Sequence, residues 1–331
     1  MATMIPPTVR LESPFTLLVK QPLGEARFPP SKNSLCPCSR SPAALHSKEM
    51  GSIKLGTCSW NYPSWVGLVY SSKKPKAQDY LAEYARKFDT VEIDSWFYRI
   101  PEGEEVMGYL SQVPDTFTFT CKMVEDVTLT HKRDLRKTGA LEVNPDFLSP
   151  DIFFRYIDAV TPMLPRIEGI ILEFEYLNKQ KMESLPLFID KLDSFVSRVG
   201  QGLPLAVETR NKNYLTEEYF RFLDARKLIP VFSEKLYMPP IYEVYEKFKP
   251  YVRTKAILRL LGGDRKQIEE KTKEQWNRIV EPRSDKERIV DMSLDMKYRG
   301  SSVIINVNNH YEGSAPLTIE ELRTLMEKRE H

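Results

Sequence analysis

The chain has 331 residues, 41% hydrophobic and 28% charged, enough apolar material for one large or two medium domains with a sizeable core. Its 48 Lys and Arg nearly balance 46 Asp and Glu, a formal net charge of +2. That argues against a general nucleic-acid or membrane-surface binder, which carries a clear basic excess. Apolar runs such as Ile167–Phe174 contain charge and are far shorter than a membrane span.

The first fifty residues hold eight of the 24 prolines, six basic against three acidic residues, and no sustained helical or strand period. An organelle transit peptide, a disordered N-terminal extension and a start assigned too far upstream, with Met50 as the first residue, all account for this stretch. The last two fit its acids and weak amphipathicity better. Cys36-Pro-Cys38 lies within it, and with Cys58 and Cys121 makes a set whose spacing matches neither a zinc site nor a disulfide framework. A reducing compartment, the cytoplasm, is the simplest expectation, with organelle targeting by residues 1–50 left open.

From Ser52 onward short apolar runs alternate with amphipathic helical stretches. The expected strands are Ile53–Cys58, Thr90–Ser95, Thr116–Lys122, Gly169–Phe174, Leu205–Thr209, Ile229–Ser233, Ala256–Leu261 and Val303–Asn308. Helical spacing joins Tyr80, Leu81, Tyr84 and Phe88, then Phe153, Tyr156, Ile157 and Val160, then Phe188, Leu192, Phe195 and Val199. Thr318 followed by Glu321 reads as a capping box opening the last helix. The Tyr-, Pro- and Lys-rich segment Glu234–Thr254 is expected to carry a short extra helix.

Alternating strands and helices imply a parallel sheet with helical crossovers. Eight such units in residues 51–331 match an α/β fold of the (β/α)8 TIM-barrel type, a single domain that typically needs ~250 residues. An open doubly wound sheet would often show a glycine-rich turn after its first strand; here the one close pair, Gly262-Gly263, follows the seventh.

Strand side chains alternate faces, so polar residues between apolar ones point into the barrel. This places Glu92, Asp94, Lys122, Glu173, Glu208, Arg210, Arg259, Asn306 and Asn308 inward, most of them near the C-terminal ends of their strands. Barrel enzymes keep their chemistry at that end. A structural ring of ion pairs would also satisfy such charges, since the acids nearly balance the bases.

The same blocks carry a resemblance. They are Gly56-Thr57-Cys58-Ser59-Trp60 through Trp65, Tyr84-Ala85 with Phe88–Arg99, Phe117–Lys122 with Thr130-His131, and Ala206–Arg210. Leu258-Arg259-Leu260 and Asn308-Asn309-His310, with Gly313 and Ala315, complete the set. Together they resemble the YecE-like family, domain-of-unknown-function family 72. The resemblance implies a TIM barrel from residue 51 onward and no assigned activity. Asp94 stands where the family usually has Asn, Trp96 where a small residue is usual, and Glu173-Phe174-Glu175 replaces a typical Gln-Phe-Pro. These departures add negative charge to the expected pocket.

Three chemistries compete. In the first, an enzyme acts on a small anionic or phosphorylated polyhydroxy compound. Lys122, Arg210 and Arg259 would hold the anion, and Glu92 and Glu208 would serve as acid and base. Asn308 and His310 would orient hydroxyls, while Trp60, Tyr62, Trp65, Phe97 and Tyr98 either wall the pocket or pack between barrel and helices, the latter suiting Phe97 best. The catalytic candidates are therefore Glu92, Glu208 and His310. The ligand-binding candidates are Trp60, Tyr98, Lys122, His131, Arg210, Arg259, Asn308 and Asn309, and the residues name no cofactor. The second chemistry, a divalent-metal hydrolase or isomerase, would use Glu92, His131, Glu208 and His310 as ligands, without the short paired spacing of a metal motif. In the third, Lys73-Lys74-Pro75-Lys76 and His131-Lys132-Arg133 would contact nucleic acid, although such clusters are also ordinary solvated loop charge. Cys58 reads as a buried structural thiol, Cys121 faces the helices, and the run from Asp264 to Lys273 reads as a solvated helix face.

Overall fold

A computed structural model of the protein describes residues 50–133, 139 and 141–331. Cys36, Cys38, His46 and the expected N-terminal extension lie outside the described residues. Eight parallel strands form a closed barrel in chain order, with β8 returning to pair with β1. They are β1 (Ile53–Cys58), β2 (Thr90–Ile93), β3 (Thr118–Lys122), β4 (Ile167–Phe174), β5 (Leu205–Thr209), β6 (Ile229–Lys235), β7 (Lys255–Gly262) and β8 (Ser302–Val307).

The outward residues of each strand, such as Val91, Phe119, Leu172, Val207, Leu258 and Val307, are buried in a core shared with the helices. Phe174 meets Phe188 edge-on at 4.9 Å, and Phe153 meets Phe195 at 5.3 Å, which ties the expected helical stripes to β4 and to each other. Ser149, Ser184 and Thr216 start the helices Pro150–Val160, Leu185–Val199 and Glu217–Ala225 by accepting N–H groups three residues on. The extra helix between β6 and β7 is Ile241–Phe248. Asp264 caps the charged helix Arg265–Thr272, and Cys121 is buried against Tyr156 on the helix side.

Most strand boundaries move by one or two residues from those expected, and two differences change a reading. The last helix spans Ala315–Glu330, so Thr318 lies inside it rather than capping it. Pro316 suits the first helical turn, and the Thr318 hydroxyl bonds Glu312 at 2.8 Å and the Ser314 carbonyl at 3.0 Å. Strand β6 runs two residues past Ser233, so Lys235 belongs to the barrel and not to the following loop.

Inside the barrel the waist is apolar. Ile171, Ala206, Ile229, Val231, Ile257 and Ile304 form an apolar cluster of their own. Gly169 makes room for it, because a Cβ there would stand 2.5 Å from Ile257 Cδ1. Below the waist, at the N-terminal ends of the strands, Lys54 and Lys255 each reach a Glu168 oxygen at 2.5 Å. Charge therefore enters the barrel at both ends and not at the C-terminal end alone.

Candidate functional site at the C-terminal mouth

Above the waist the inward alternation turns polar: Glu92 on β2, Thr120 and Lys122 on β3, Glu173 on β4, Glu208 on β5, Ser233 on β6, Arg259 on β7 and Asn306 on β8. Asp94 and Arg210 follow one residue beyond β2 and β5. Arg259, only 2% exposed, is the hub. Its Nε and Nη2 donate to the two oxygens of Glu92 at 2.8 and 2.6 Å, a bidentate fork, and its Nη1 donates to Glu173 at 2.7 Å and to Glu208. Arg210 lies 2.7 Å from Glu208 and 2.9 Å from Glu173. Lys122 lies 2.5 Å from Asp94 and 2.9 Å from Glu173. Asn306 Nδ2 donates to Glu92 at 3.2 Å and to Thr120 at 2.8 Å.

Four carboxylates (Glu92, Asp94, Glu173, Glu208) thus meet three cations (Lys122, Arg210, Arg259), and all three cations converge on Glu173. Burial alone would raise the Glu173 carboxyl; Lys122, Arg259 and Arg210 overturn that and hold it well below the usual carboxylate range. Glu208 is likewise pushed up by burial and brought below its ordinary value by Arg210 and Arg259. At Glu92 burial outweighs Arg259, and the carboxyl is raised. The two glutamates marked as acid and base are therefore driven apart in the directions such a pair requires.

Depth separates these groups. Glu92 and Glu208 are sealed beneath Arg259, whereas the Glu173 side chain is 15% and Asp94 41% exposed. Beside Glu173 opens a cavity of about 360 Å³ walled by Phe97, Leu129, His131, Arg133, Leu141 and Lys181. The Lys122 amine stands 5.0 Å and the Arg133 guanidinium 5.5 Å from the centre of the Phe97 ring, so this phenylalanine shapes the mouth as well as packing. A larger hollow of about 640 Å³, walled by Leu203, Lys227, Leu228 and Lys255, lies at the opposite end of the barrel, away from this network.

A family model described as "Protein of unknown function DUF72" matches residues 54–331. The chain belongs to this family. The protein described as UPF0759 protein YecE, from Escherichia coli K12, is 28% identical over 141 residues, 42% of this chain and 44% of its own length. The match thus spans less than half of that curated relative. The crystal structure of a DUF72 family protein from Enterococcus faecalis is similar with a TM-score of 0.60 at 16% identity, covering 83% of this chain and 95% of that one. A DUF72 family protein from Thermotoga maritima gives 0.58 at 21%, covering 83% and 99%. At these identities the likeness shows the barrel fold, which the strand order shows independently.

Other family-motif residues contact partners outside the network, although His131 shares the cavity with Glu173. Trp60 is buried, donates its indole N–H to the Ala77 carbonyl at 2.8 Å and meets Tyr109 edge-on at 5.1 Å. Trp65 is fully buried, and Tyr62 tilts against it at 4.7 Å. Asn308 Oδ1 accepts the His310 backbone N–H at 3.0 Å and faces His310 Nδ1 at 2.6 Å, while Asn309 Oδ1 accepts the Ala315 N–H at 3.0 Å. The His310 ring lies 3.1 Å from Glu269 and packs on Trp276, and burial lowers its pKa. His131 stands at the cavity wall with Nδ1 3.0 Å from Thr130 Oγ1; Tyr98, 62% exposed, carries Arg133 over its ring. Among the described residues no three His, Cys, Asp or Glu side chains gather to hold a metal ion. The oxygens of Glu92 and Glu208 face guanidinium groups instead. The basic clusters are locally paired: Lys74 with Glu83, Lys132 with Glu142 and Arg133 with Glu125.

Cys58 is buried below the network, its thiol pushed well up by burial and by Glu92. Lys235 and Ser233 are the site residues that pattern reading misses. Both continue the inward alternation from Val231; Ser233 closes the expected strand, and the Tyr- and Pro-rich sequence that follows hides Lys235, next to which the register shifts. No helix among the described residues is long and apolar enough to cross a membrane.

Proposed function

We propose that the protein is a barrel enzyme whose C-terminal mouth binds a small anionic or phosphorylated polyhydroxy compound, the anionic group exchanging with the carboxylate of Glu173. One observation supports this reading above the rest. Lys122, Arg210 and Arg259 converge on a single carboxylate that borders the cavity, so that carboxylate stands in for the ligand's own anion. Arginine forks and a lysine amine suit phosphate or carboxylate oxygens equally well. Moving Glu173 aside would also uncover Glu208 and Glu92, whose separated proton affinities fit a base and an acid. Phe97, Leu129 and Leu141 would face the carbon skeleton, and His131 and Arg133 its hydroxyls or a second anion.

Isothermal titration with inorganic phosphate and with sugar phosphates tests the reading. Binding that weakens with salt and disappears in Arg210→Met supports it. Binding that survives loss of Arg210 overturns it.

A further inference from the structure

The third inward layer of β6 is a lysine, and the mouth gives it no carboxylate of its own. Val231 belongs to the apolar waist, Ser233 is buried beside Glu208, and Lys235 follows on the same face. Among the described residues Lys122, Lys181, Arg210 and Arg259 are all ion-paired at this mouth, while Lys235 has no ion pair or side-chain hydrogen bond. Its backbone is held: the Leu236 N–H bonds the Gly262 carbonyl at 3.2 Å and the Met238 N–H bonds the Lys235 carbonyl at 3.0 Å. Gly262 has φ 83° and leaves no room for a Cβ, which would sit 2.1 Å from the His310 carbonyl. The Lys235 side chain, exposed to solvent, therefore stands on a fixed backbone at the edge of the charged layer.

We infer that the ε-amine of Lys235 condenses with an aldehyde or ketone carbonyl of the ligand, forming an imine with loss of water. The amine nitrogen attacks the carbonyl carbon and the carbonyl electron pair moves to oxygen. The two amine protons leave with that oxygen as water, and a C=N bond replaces C=O. No oxidant or reductant is required. The surroundings of Lys235 lower its proton affinity on balance. Loss of solvation, then Arg210, with a further contribution from Arg259, lowers its pKa against the opposing pull of Glu173 and Glu208. His310 lies within electrostatic range on the β8 side. The ligand class narrows accordingly to anionic carbonyl compounds, such as open-chain sugar phosphates or 2-oxo acids. The anionic part of that description rests on the function proposed above; the amine chemistry does not.

Reductive trapping separates the two. The full chain is incubated with dihydroxyacetone phosphate, and in parallel with uncharged dihydroxyacetone, in the presence of cyanoborohydride, and its peptides are mapped by mass spectrometry. The expected result is a reduced adduct on Lys235 several-fold ahead of Lys212 and Lys227, which are exposed as Lys235 is but lie away from the charged layer. It is absent in Lys235→Arg, whose unfolding temperature matches that of the parent chain, and inorganic phosphate slows it for the phosphorylated probe only. Labelling of Lys235 no faster than those surface lysines with either probe overturns the inference, even if phosphate binds. Preferential labelling by both probes without phosphate competition upholds the amine and removes the anion site.

Discussion

Replacing Glu173 by Gln separates a carboxylate that stands in for a ligand from one that only braces the barrel. The side chain keeps its shape and loses one negative charge, taking the seven-membered cluster from four acids and three bases to a balanced three and three. Each cation keeps a second partner: Lys122 has Asp94 at 2.5 Å, Arg210 has Glu208 at 2.7 Å, and Arg259 has both oxygens of Glu92. Breaking a buried pair commonly costs ~3–5 kcal/mol, but that figure applies where a charge is left alone. Here the loss is one set of charge-assisted hydrogen bonds, about 2–3 kcal/mol, or roughly 4–12 °C in unfolding temperature for a domain of this size. The same substitution should tighten inorganic phosphate binding by about tenfold or more, ~1.4 kcal/mol, because the internal competitor is gone. The pH dependence has a definite sign. The folded Glu173 carboxyl sits well below its unfolded value, so its stabilisation is full above the unfolded value of about 4.3 and fades as pH falls through the folded one. Parent and variant should converge in acid. Calorimetry and thermal unfolding together decide the matter: a lower unfolding temperature with unchanged phosphate affinity makes Glu173 a brace, and the exchange argument fails.

Arg259→Met should be the most damaging single change in the mouth. It leaves Glu92, Glu173 and Glu208 without their shared cation at a cost of about 3–5 kcal/mol, and an unchanged denaturant midpoint would contradict the pairing seen here. At the other end of the barrel, burial pushes the Glu168 carboxyl up, but Lys255 and Lys54 bring it below its ordinary value. Its contribution is therefore complete above the unfolded value and is lost as pH drops through the folded one; Glu168→Gln should flatten the acid limb of the stability curve, measured by urea unfolding between neutral and acidic pH. Asn308→Ala removes an acceptor for the His310 N–H and should cost ~1 kcal/mol while leaving phosphate binding intact. Loss of binding without loss of stability would instead return Asn308 to the ligand.

Much of the mouth was legible in the sequence because strand periodicity is strict. A polar residue between two apolar ones on a barrel strand has only one place to point, and Glu92, Lys122, Glu173, Glu208 and Arg259 all obey that rule. Partner choice was not legible, since spacing along the chain says nothing about which carboxylate takes which cation across the barrel. Arg259 and Glu92 lie 167 positions apart. Residues just past a strand are harder still. Cap residues and binding residues are the same types, so the sequence does not show that Asn308 and Asn309 accept backbone N–H groups of His310 and Ala315. Lys235 was hidden by the Tyr- and Pro-rich sequence that follows it at the end of β6.

The two ends of the barrel supply an internal comparison for what ionic closure requires. At the N-terminal end one glutamate and two lysines close the interior, with Thr118 also bonded to Lys54 at 3.3 Å. Three charged side chains suffice there, and the hollow on that side has no buried arginine beneath it. The C-terminal end uses seven, gathers them from β2, β3, β4, β5 and β7 with their adjoining residues, and seals its two innermost carboxylates under an arginine. Desolvating charges is unfavourable unless each is well paired, so four further buried or half-buried ions add cost without being needed to close the barrel. The carboxylates are also graded: Glu173, which borders the cavity, and Asp94 keep some exposure, while Glu92 and Glu208 have none. A brace has no reason to leave its most connected carboxylate at the edge of a cavity. The exchange proposed for Glu173 would require that placement.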